Sequence, residues 1–164
     1  MDKNETQSKR ERYLTFYIGN EQYGIAINRI KEIIAMMNIT KVPKIPSYMR
    51  GVINLRGSII PVVDTRLRFN MDYREADMHT AIIIVEVEKI SIGFIVDRVE
   101  EVSSIESSSL SEPPKFGGGI DTDFICSVAQ IEDNVVMILD VLKLFEADEL
   151  ADIEQIEQKQ TQGE

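Results

Sequence analysis

Few residues in this 164-residue chain have side chains that could carry out chemistry. It contains one histidine, His79, one cysteine, Cys126, and no tryptophan. A thiol nucleophile with an imidazole base would need both of them. Cys126 lies in the apolar run FICSVA, however, where a free cysteine usually packs as a small hydrophobic residue. A thiol-dependent small enzyme is therefore an alternative with little support, and no catalytic residue is assigned.

A metal site is the second kind of chemistry to consider. Asp121, Asp123 and Glu132 follow the order of three ligands of a calcium-binding loop. The same alignment places Cys126 where such a loop needs a glycine, and the segment has the composition of a strand. One histidine and one cysteine also exclude a multi-histidine zinc site and an internal disulfide. We therefore predict no metal and no other cofactor.

Arg56 is a candidate for binding rather than catalysis. The pair Arg56-Gly57 separates two apolar segments, 52–55 and 58–64. This pattern predicts a tight hairpin with the arginine at its tip, in a type II turn where only Gly57 needs a positive φ. Arginine is enriched in protein interfaces because its planar guanidinium pairs with carboxylates in a fixed geometry. From the pattern alone, a solvated turn residue is the simpler interpretation.

Size, charge and the length of the apolar runs argue against a nucleic-acid-binding protein and against a membrane-spanning one. The chain has the mass of one ordinary domain, 18.7 kDa, and a formal net charge of −10. Residues 146–164 hold seven acids and one base, a net of −6, so the rest carries −10 − (−6) = −4. An acidic protein repels phosphate backbones, which argues against nucleic-acid binding. The longest apolar runs have five residues, and a membrane-spanning helix needs about 20. We therefore expect a cytoplasmic protein that does not insert into a membrane.

Short apolar segments separated by turn residues predict a mainly β protein. Strands are predicted at 13–18, 21–27, 52–55, 58–64, 81–87, 90–96, 99–105, 124–131 and 135–139. One segment has helical periodicity instead, and its apolar residues are Ile27, Ile30, Ile34 and Met37. This spacing predicts a short helix capped by Asn28. Residues 1–12 are expected to be disordered, 13–145 to form the domain, and 146–164 to form an acidic C-terminal helix or tail.

Several ordered motifs between residues 15 and 144 resemble the CheW family, the coupling modules of bacterial chemotaxis. The motifs are FYIGNEQYGI at 16–25, IKEI at 30–33, VP at 42–43, GVINLRG at 51–57, PVVD at 61–64, VDRV at 96–99 and ILDVL at 138–142. Ser127 departs from the pattern, because the family usually has a glycine there.

The resemblance implies a mainly β fold of two packed five-stranded SH3-like barrels with short helices, and no catalytic activity. It also implies an adaptor that couples the histidine kinase CheA, through the kinase's regulatory domain, to the cytoplasmic tips of methyl-accepting chemoreceptors. Such adaptors build the signalling array beneath the inner membrane. The length predicts a free-standing CheW domain, and we expect a monomer in isolation. The sequence equally permits a CheW-like adaptor of another chemosensory pathway, serving surface motility or development.

The resemblance also implies a receptor-binding groove between the two barrels. The receptor-binding residues would be Ile30, Glu32, Gly51, Arg56, Val99 and Val102. Ala81, at the start of a strand that we expect to be exposed, would face the kinase. On this basis Arg56 is expected to serve the interface rather than to be only a solvated turn residue.

Overall fold

The computed structural model describes residues 9–113 and 124–144, and within them the fold is mainly β. The strands are β1 (Arg10–Ile18), β2 (Glu21–Ala26), β3 (Ile30–Ala35), β4 (Met49–Leu55), β5 (Ser58–Asp64), β6 (Ala81–Val87), β7 (Ile90–Val96), β8 (Arg98–Glu106), β9 (Leu110–Ser111), β10 (Ile125–Ile131) and β11 (Asn134–Leu139). The helical elements are α1 (Thr65–Arg68) and three 3-10 turns, Ile27–Arg29, Ser107–Ser109 and Val141–Leu144. None of these helices is long and apolar enough to cross a membrane.

The strands form two sheets. The six-stranded sheet has the order β8-β1-β2-β11-β10-β9, and the five-stranded sheet has the order β3-β6-β7-β5-β4. Neighbouring strands are antiparallel except for the pairs β2–β11 and β5–β7, which are parallel. The larger sheet exceeds the expected five strands by the two-residue β9, which pairs with Val128 and Ala129 of β10.

Each sheet curls so that its terminal strands approach each other. β8 and β9, at opposite ends of the six-stranded sheet, are separated in the chain only by the 3-10 turn Ser107–Ser109. In the five-stranded sheet, Thr40 lies beyond β3 and forms a bridge with Val52 of β4. The bridge has two backbone hydrogen bonds of 2.8 and 2.9 Å. The bridge therefore links the segment that follows β3, one edge strand of the sheet, to β4, the other edge strand.

The largest apolar cluster lies between the sheets. Phe16 of β1, Ile83 of β6 and Phe94 of β7 belong to it and are at most 1% exposed. The alternate residues of β6, Ile82 and Ile84, face a second cluster within the five-stranded sheet. Because β6 is buried on both faces, its apolar residues form a continuous run rather than an alternating pattern.

The helix predicted around residues 27–37 is wrong. Only Ile27–Arg29 form a 3-10 turn, and Asn28 lies inside it rather than capping a helix. β3 follows directly and pairs with β6 along its length. Its side chains alternate between partly buried and exposed positions, and β-branched isoleucines favour such a pleated, half-buried strand. The apolar spacing was compatible with either structure, and pairing with β6 selected the strand.

The N-terminal boundary also differs from the expectation. β1 begins at Arg10, inside the segment expected to be disordered, because it pairs there with the end of β8. Arg10 Nη2 lies 2.6 Å from Glu106 Oε2 across this pair. Several predictions lie outside the described residues: the disorder of residues 1–8, the acidic helix or tail at 146–164, and two of the calcium-loop acids, Asp121 and Asp123.

Candidate protein-interaction site

The turn between β4 and β5 presents Arg56 at its tip. Leu55 pairs with Ser58, so Arg56 and Gly57 form a two-residue loop. Their φ angles are 52° and 92°, which makes both positive, as in a type I′ hairpin turn. The prediction of a hairpin was correct, but that of a type II turn was wrong. The Asn54 Oδ1 accepts a hydrogen bond of 2.9 Å from the Gly57 N–H and braces the loop.

Arg56 forms an ion pair with Glu32 of β3. The Arg56 Nη2 lies 2.5 Å from the Glu32 Oε1, and the side chains are 68% and 33% exposed. The hydrogen bond from Arg56 lowers the pKa of Glu32, and the same bond raises the pKa of Arg56. Since an exposed pair adds little to stability, its main effect is to hold the guanidinium in one orientation.

A cleft of about 280 Å³ lies beside this pair. Its lining residues are Lys31, Glu32, Leu55, Arg56, Ser58, Ile60, Ile84 and Ser91. The ammonium of Lys31 donates a hydrogen bond of 2.9 Å to the Ser91 hydroxyl. Ile60 and Ile84 are buried, so charged and hydroxyl groups form most of the accessible wall of the cleft. This arrangement suits a polar or charged side chain of a partner protein.

Gly51 has a structural role that the sequence did not reveal. It is buried on β4, with a φ of 139°. A Cβ at this position would lie 2.1 Å from the carbonyl oxygen of Thr40, which is far inside van der Waals contact. Gly51 therefore permits the bridge between Thr40 and Val52, and it has no side chain to offer a partner.

The remaining candidate receptor contacts lie in both sheets. Ile30 of β3 and Val99 of β8 are partly buried against the cluster between the sheets. Val102 of β8 is 47% exposed, on an edge strand of the six-stranded sheet. The structure thus brings Glu32 and Arg56 into direct contact, whereas the two valines are carried by the other sheet.

Ala81, the candidate kinase contact, lies on a strand that is not exposed. β6 is an inner strand between β3 and β7, where Ala81 pairs with Ala35 and Val96. The expectation of an exposed strand is wrong, because the run after Ala81 is buried on both faces. Ala81 itself, at the end of the strand, is half-buried.

Sequence reasoning missed the hydrogen-bond network of Asp97, although this residue lies in the VDRV motif. Asp97 accepts hydrogen bonds from the Arg66 guanidinium, at 2.8 Å from Nη2, and from the Gly19 N–H at 2.7 Å. Burial by itself would raise the pKa of Asp97. The hydrogen bonds from Arg66 and Gly19, with the charges of Arg66 and Arg74, outweigh burial and hold the pKa below its usual value. The sequence offered little indication that Arg66 and Asp97 would meet, because α1, which carries Arg66, was not predicted.

The two residues of the hypothetical thiol dyad belong to different parts of the fold. His79 precedes β6, and its backbone N–H donates to the Asp77 carboxylate at 2.8 Å. Cys126 lies on β10 and is exposed, so the expectation that it packs as a small hydrophobic residue is wrong. Its thiol is 3.5 Å from the Ile138 carbonyl, and partial desolvation raises its pKa. A raised pKa disfavours the reactive thiolate. In the described part of the chain, no three His, Cys, Asp or Glu side chains are grouped to hold a metal.

A family model described as the CheW-like domain matches residues 12–149, most of the chain. The chain belongs to the CheW family. Two similar proteins are both called "Chemotaxis protein CheW". That of Treponema pallidum is 33% identical over 143 residues, covering 84% of this chain and 83% of that protein. That of Klebsiella aerogenes is 28% identical over 146 residues, covering 89% of this chain and 88% of that protein.

A solved CheW structure has the same architecture. The crystal structure of the scaffolding protein TtCheW from Thermoanaerobacter tengcongensis superposes with a TM-score of 0.78 and 36% identity, covering 86% of this chain and 96% of that one. The resemblance to CheW and the mainly β fold are thereby confirmed. The relatives and this neighbour indicate that the chain is a non-enzymatic CheW-family adaptor of chemotaxis.

Proposed function

We propose that this CheW-family adaptor couples the histidine kinase CheA to the cytoplasmic tips of methyl-accepting chemoreceptors. It would act in the cytoplasm beneath the inner membrane, where alternating adaptor and kinase domains join receptors into an array. The receptor surface would comprise Glu32, Arg56 and the partly buried Ile30, together with Val99 and Val102 of β8. Ala81 marks the end of β6 that would face the regulatory domain of the kinase.

The Glu32–Arg56 pair is the observation that carries this proposal. Its two side chains come from distant segments of the five-stranded sheet and meet at the surface, 2.5 Å apart. Arg56 keeps most of its surface in solvent, so its remaining N–H donors are accessible to a carboxylate of another protein. An oriented guanidinium next to a cleft lined by charged and hydroxyl groups supports protein recognition, because arginine at the centre of an interface often contributes strongly to affinity.

Co-sedimentation with receptor-containing membranes and CheA tests the coupling. The wild-type chain is expected to sediment with the receptors, recruit the kinase and raise its autophosphorylation rate. If it neither recruits nor activates the kinase, the proposed function is wrong.

A charge swap separates a direct contact of Arg56 from a bracing role. The double variant Arg56→Glu with Glu32→Arg restores an ion pair within the chain but reverses the charges that a receptor would meet. If Arg56 contacts the receptor, the double variant binds as poorly as Arg56→Glu alone. Full recovery of binding would show that the pair only braces the cleft. Arg10→Glu is the matched control, because it disrupts a similarly exposed ion pair, with Glu106.

A further inference from the structure

Asp97 occupies the point where the chain passes from one sheet to the other. It is the one residue between β7, in the five-stranded sheet, and β8, in the six-stranded sheet. Its side chain is only 15% exposed. A carboxylate buried to this extent needs partners, because an unpaired buried charge is strongly unfavourable.

The partners on one side belong to the six-stranded sheet. The Asp97 N–H donates to the Tyr17 carbonyl on β1 at 3.0 Å. The Asp97 Oδ2 accepts from the N–H of Gly19, in the turn between β1 and β2, at 2.7 Å. These bonds attach the junction to the β1–β2 hairpin through main-chain groups, which cannot turn away as a side chain can.

The partners on the other side belong to the five-stranded sheet. Arg66 donates to Asp97 from both Nε and Nη2, at 2.8 to 3.1 Å, in a forked geometry. Arg66 lies on α1, which begins directly after β5. The Thr65 hydroxyl anchors α1 to the five-stranded sheet, because it donates to the Ile95 carbonyl on β7 at 2.5 Å. Arg74, in the segment before β6, adds a longer contact of 3.5 Å.

The junction lies next to candidate receptor contacts on β8. Val99 follows Asp97 by two residues and pairs with Phe16 of β1. The pairing shifts at Phe16, because the preceding residue, Thr15, pairs with Glu101. The first residues of β8 therefore lie between Asp97 and a β-bulge.

We propose that Asp97 is a positioning residue that locks the two sheets in one relative orientation and thereby holds Val99 and Val102 in place relative to the Glu32–Arg56 pair. The effect on receptor binding rests on the proposed function, whereas the effect on sheet orientation does not. Other contacts also join the two parts of the fold. The Arg68 Nε and Nη2 donate to the Leu144 carbonyl at 2.9 and 2.5 Å, and the rings of Phe69 and Phe124 stack with their centroids 4.8 Å apart. Because these contacts and the apolar cluster between the sheets remain, loss of the Asp97 charge should not unfold the chain; on this proposal it changes the relative orientation of the sheets.

Residual dipolar couplings of backbone N–H groups in the full chain test the orientation. In the wild type, couplings from both sheets should fit one alignment tensor. In Asp97→Asn, each sheet should still fit a tensor of its own, but the joint fit should become clearly worse. Glu106→Gln is the control, because it removes the charge of an exposed carboxylate at the far end of β8, and it should behave as the wild type. A joint fit for Asp97→Asn as good as that of the wild type would overturn the proposal.

Binding of a receptor-tip fragment tests the consequence for the receptor surface. Asp97→Asn should bind roughly two- to thirtyfold more weakly, the range expected when a residue acts through another site. Should Asp97→Asn fail to fold, Arg66→Lys provides the same comparison, since it keeps the charge but loses the fork. Unchanged binding despite changed couplings would refute the positioning role. Failure of the wild type to bind would instead refute the proposed function and leave the couplings as the test of the junction.

Discussion

Arg56 is constrained more strongly than a solvated turn residue needs to be. Its backbone is in the left-handed region, which is unfavourable for a residue with a Cβ, and Asn54 braces the loop that holds it. Its side chain is nevertheless exposed and paired with Glu32. A position that accepts backbone strain in order to present a guanidinium is consistent with a role in recognition.

Replacing Arg56 by alanine should therefore separate binding from stability. We expect Arg56→Ala to weaken receptor co-sedimentation and to leave the melting temperature essentially unchanged, because an exposed ion pair adds little to stability. Thermal unfolding followed by circular dichroism, with Arg10→Ala as the matched control, measures the second effect. A large drop in melting temperature would mean that the arginine is mainly structural.

Gly51 should show the opposite behaviour. In Gly51→Ala the new Cβ would collide with the Thr40 carbonyl and open the bridge to Val52, so we expect a loss of about 2–4 kcal/mol in the free energy of unfolding. Urea denaturation measures this loss. Gly57→Ala is the control, because Gly57 also has a positive φ but has open space where its Cβ would be. Its cost should be about 1 kcal/mol.

Equal stability of the two glycine variants would contradict the steric explanation. If Gly51→Ala remained as stable as Gly57→Ala and yet lost receptor binding, Gly51 would be a contact residue, as the family resemblance implies.

At the scale of elements, the sequence predicted most strands because their apolar runs and turn residues are local signals. It failed for β3, where an apolar spacing compatible with a helix was overruled by pairing with β6. It also missed α1, a four-residue helix too short to show periodicity. The sequence also pointed to Glu32 and Arg56 separately but not to their contact. That contact depends on the curvature of the five-stranded sheet, which no local pattern encodes.

The N-cap of α1 leads to a prediction about that element. The Asp64 Oδ1 accepts hydrogen bonds from the N–H groups of Arg66 and Leu67, at 3.0 and 3.4 Å. Asp64→Ala should lower the free energy of unfolding by about 1–2 kcal/mol through loss of the cap. Asp64→Asn keeps an accepting oxygen and should cost less, although it weakens the contact with Arg50. Urea denaturation compares the two variants, and an equal loss in both would attribute the effect to the charge rather than to the cap.

At the scale of the whole molecule, the packing of two sheets makes stability depend on the ionisation of Asp97. The charged groups facing its carboxylate are Arg66 of α1 and Arg74 of the segment before β6. His79, Asp77 and Arg98 line the adjoining cleft. The net effect of its environment is a folded-state pKa below the usual value of about 3.9.

A carboxyl group with a lowered folded-state pKa stabilises the fold above its unfolded-state pKa, and this stabilisation is lost as the pH falls through the folded-state value. The difference in the free energy of unfolding between wild type and Asp97→Asn should therefore be constant above about pH 5 and shrink below about pH 4. Urea denaturation over this pH series measures it. A difference that stays constant to the lowest pH at which the protein folds would show that Asp97 does not cause the acid sensitivity.

The two sheets also differ in how their strands are distributed along the chain. The five-stranded sheet is built entirely from residues 30–96, whereas the hairpin of β1 and β2 finds its neighbouring strands, β8 and β11, only after residue 97. During synthesis at about 5–20 residues per second, the inner sheet can complete itself while the first hairpin waits several seconds for β8 and β11. Phe16 and Ile18, fully buried in the finished protein, can meanwhile pack only against the five-stranded sheet, without β8 and β11 beside their hairpin. The first hairpin to leave the ribosome thus has two unpaired strand edges, which could pair with another chain, until β8 and β11 emerge.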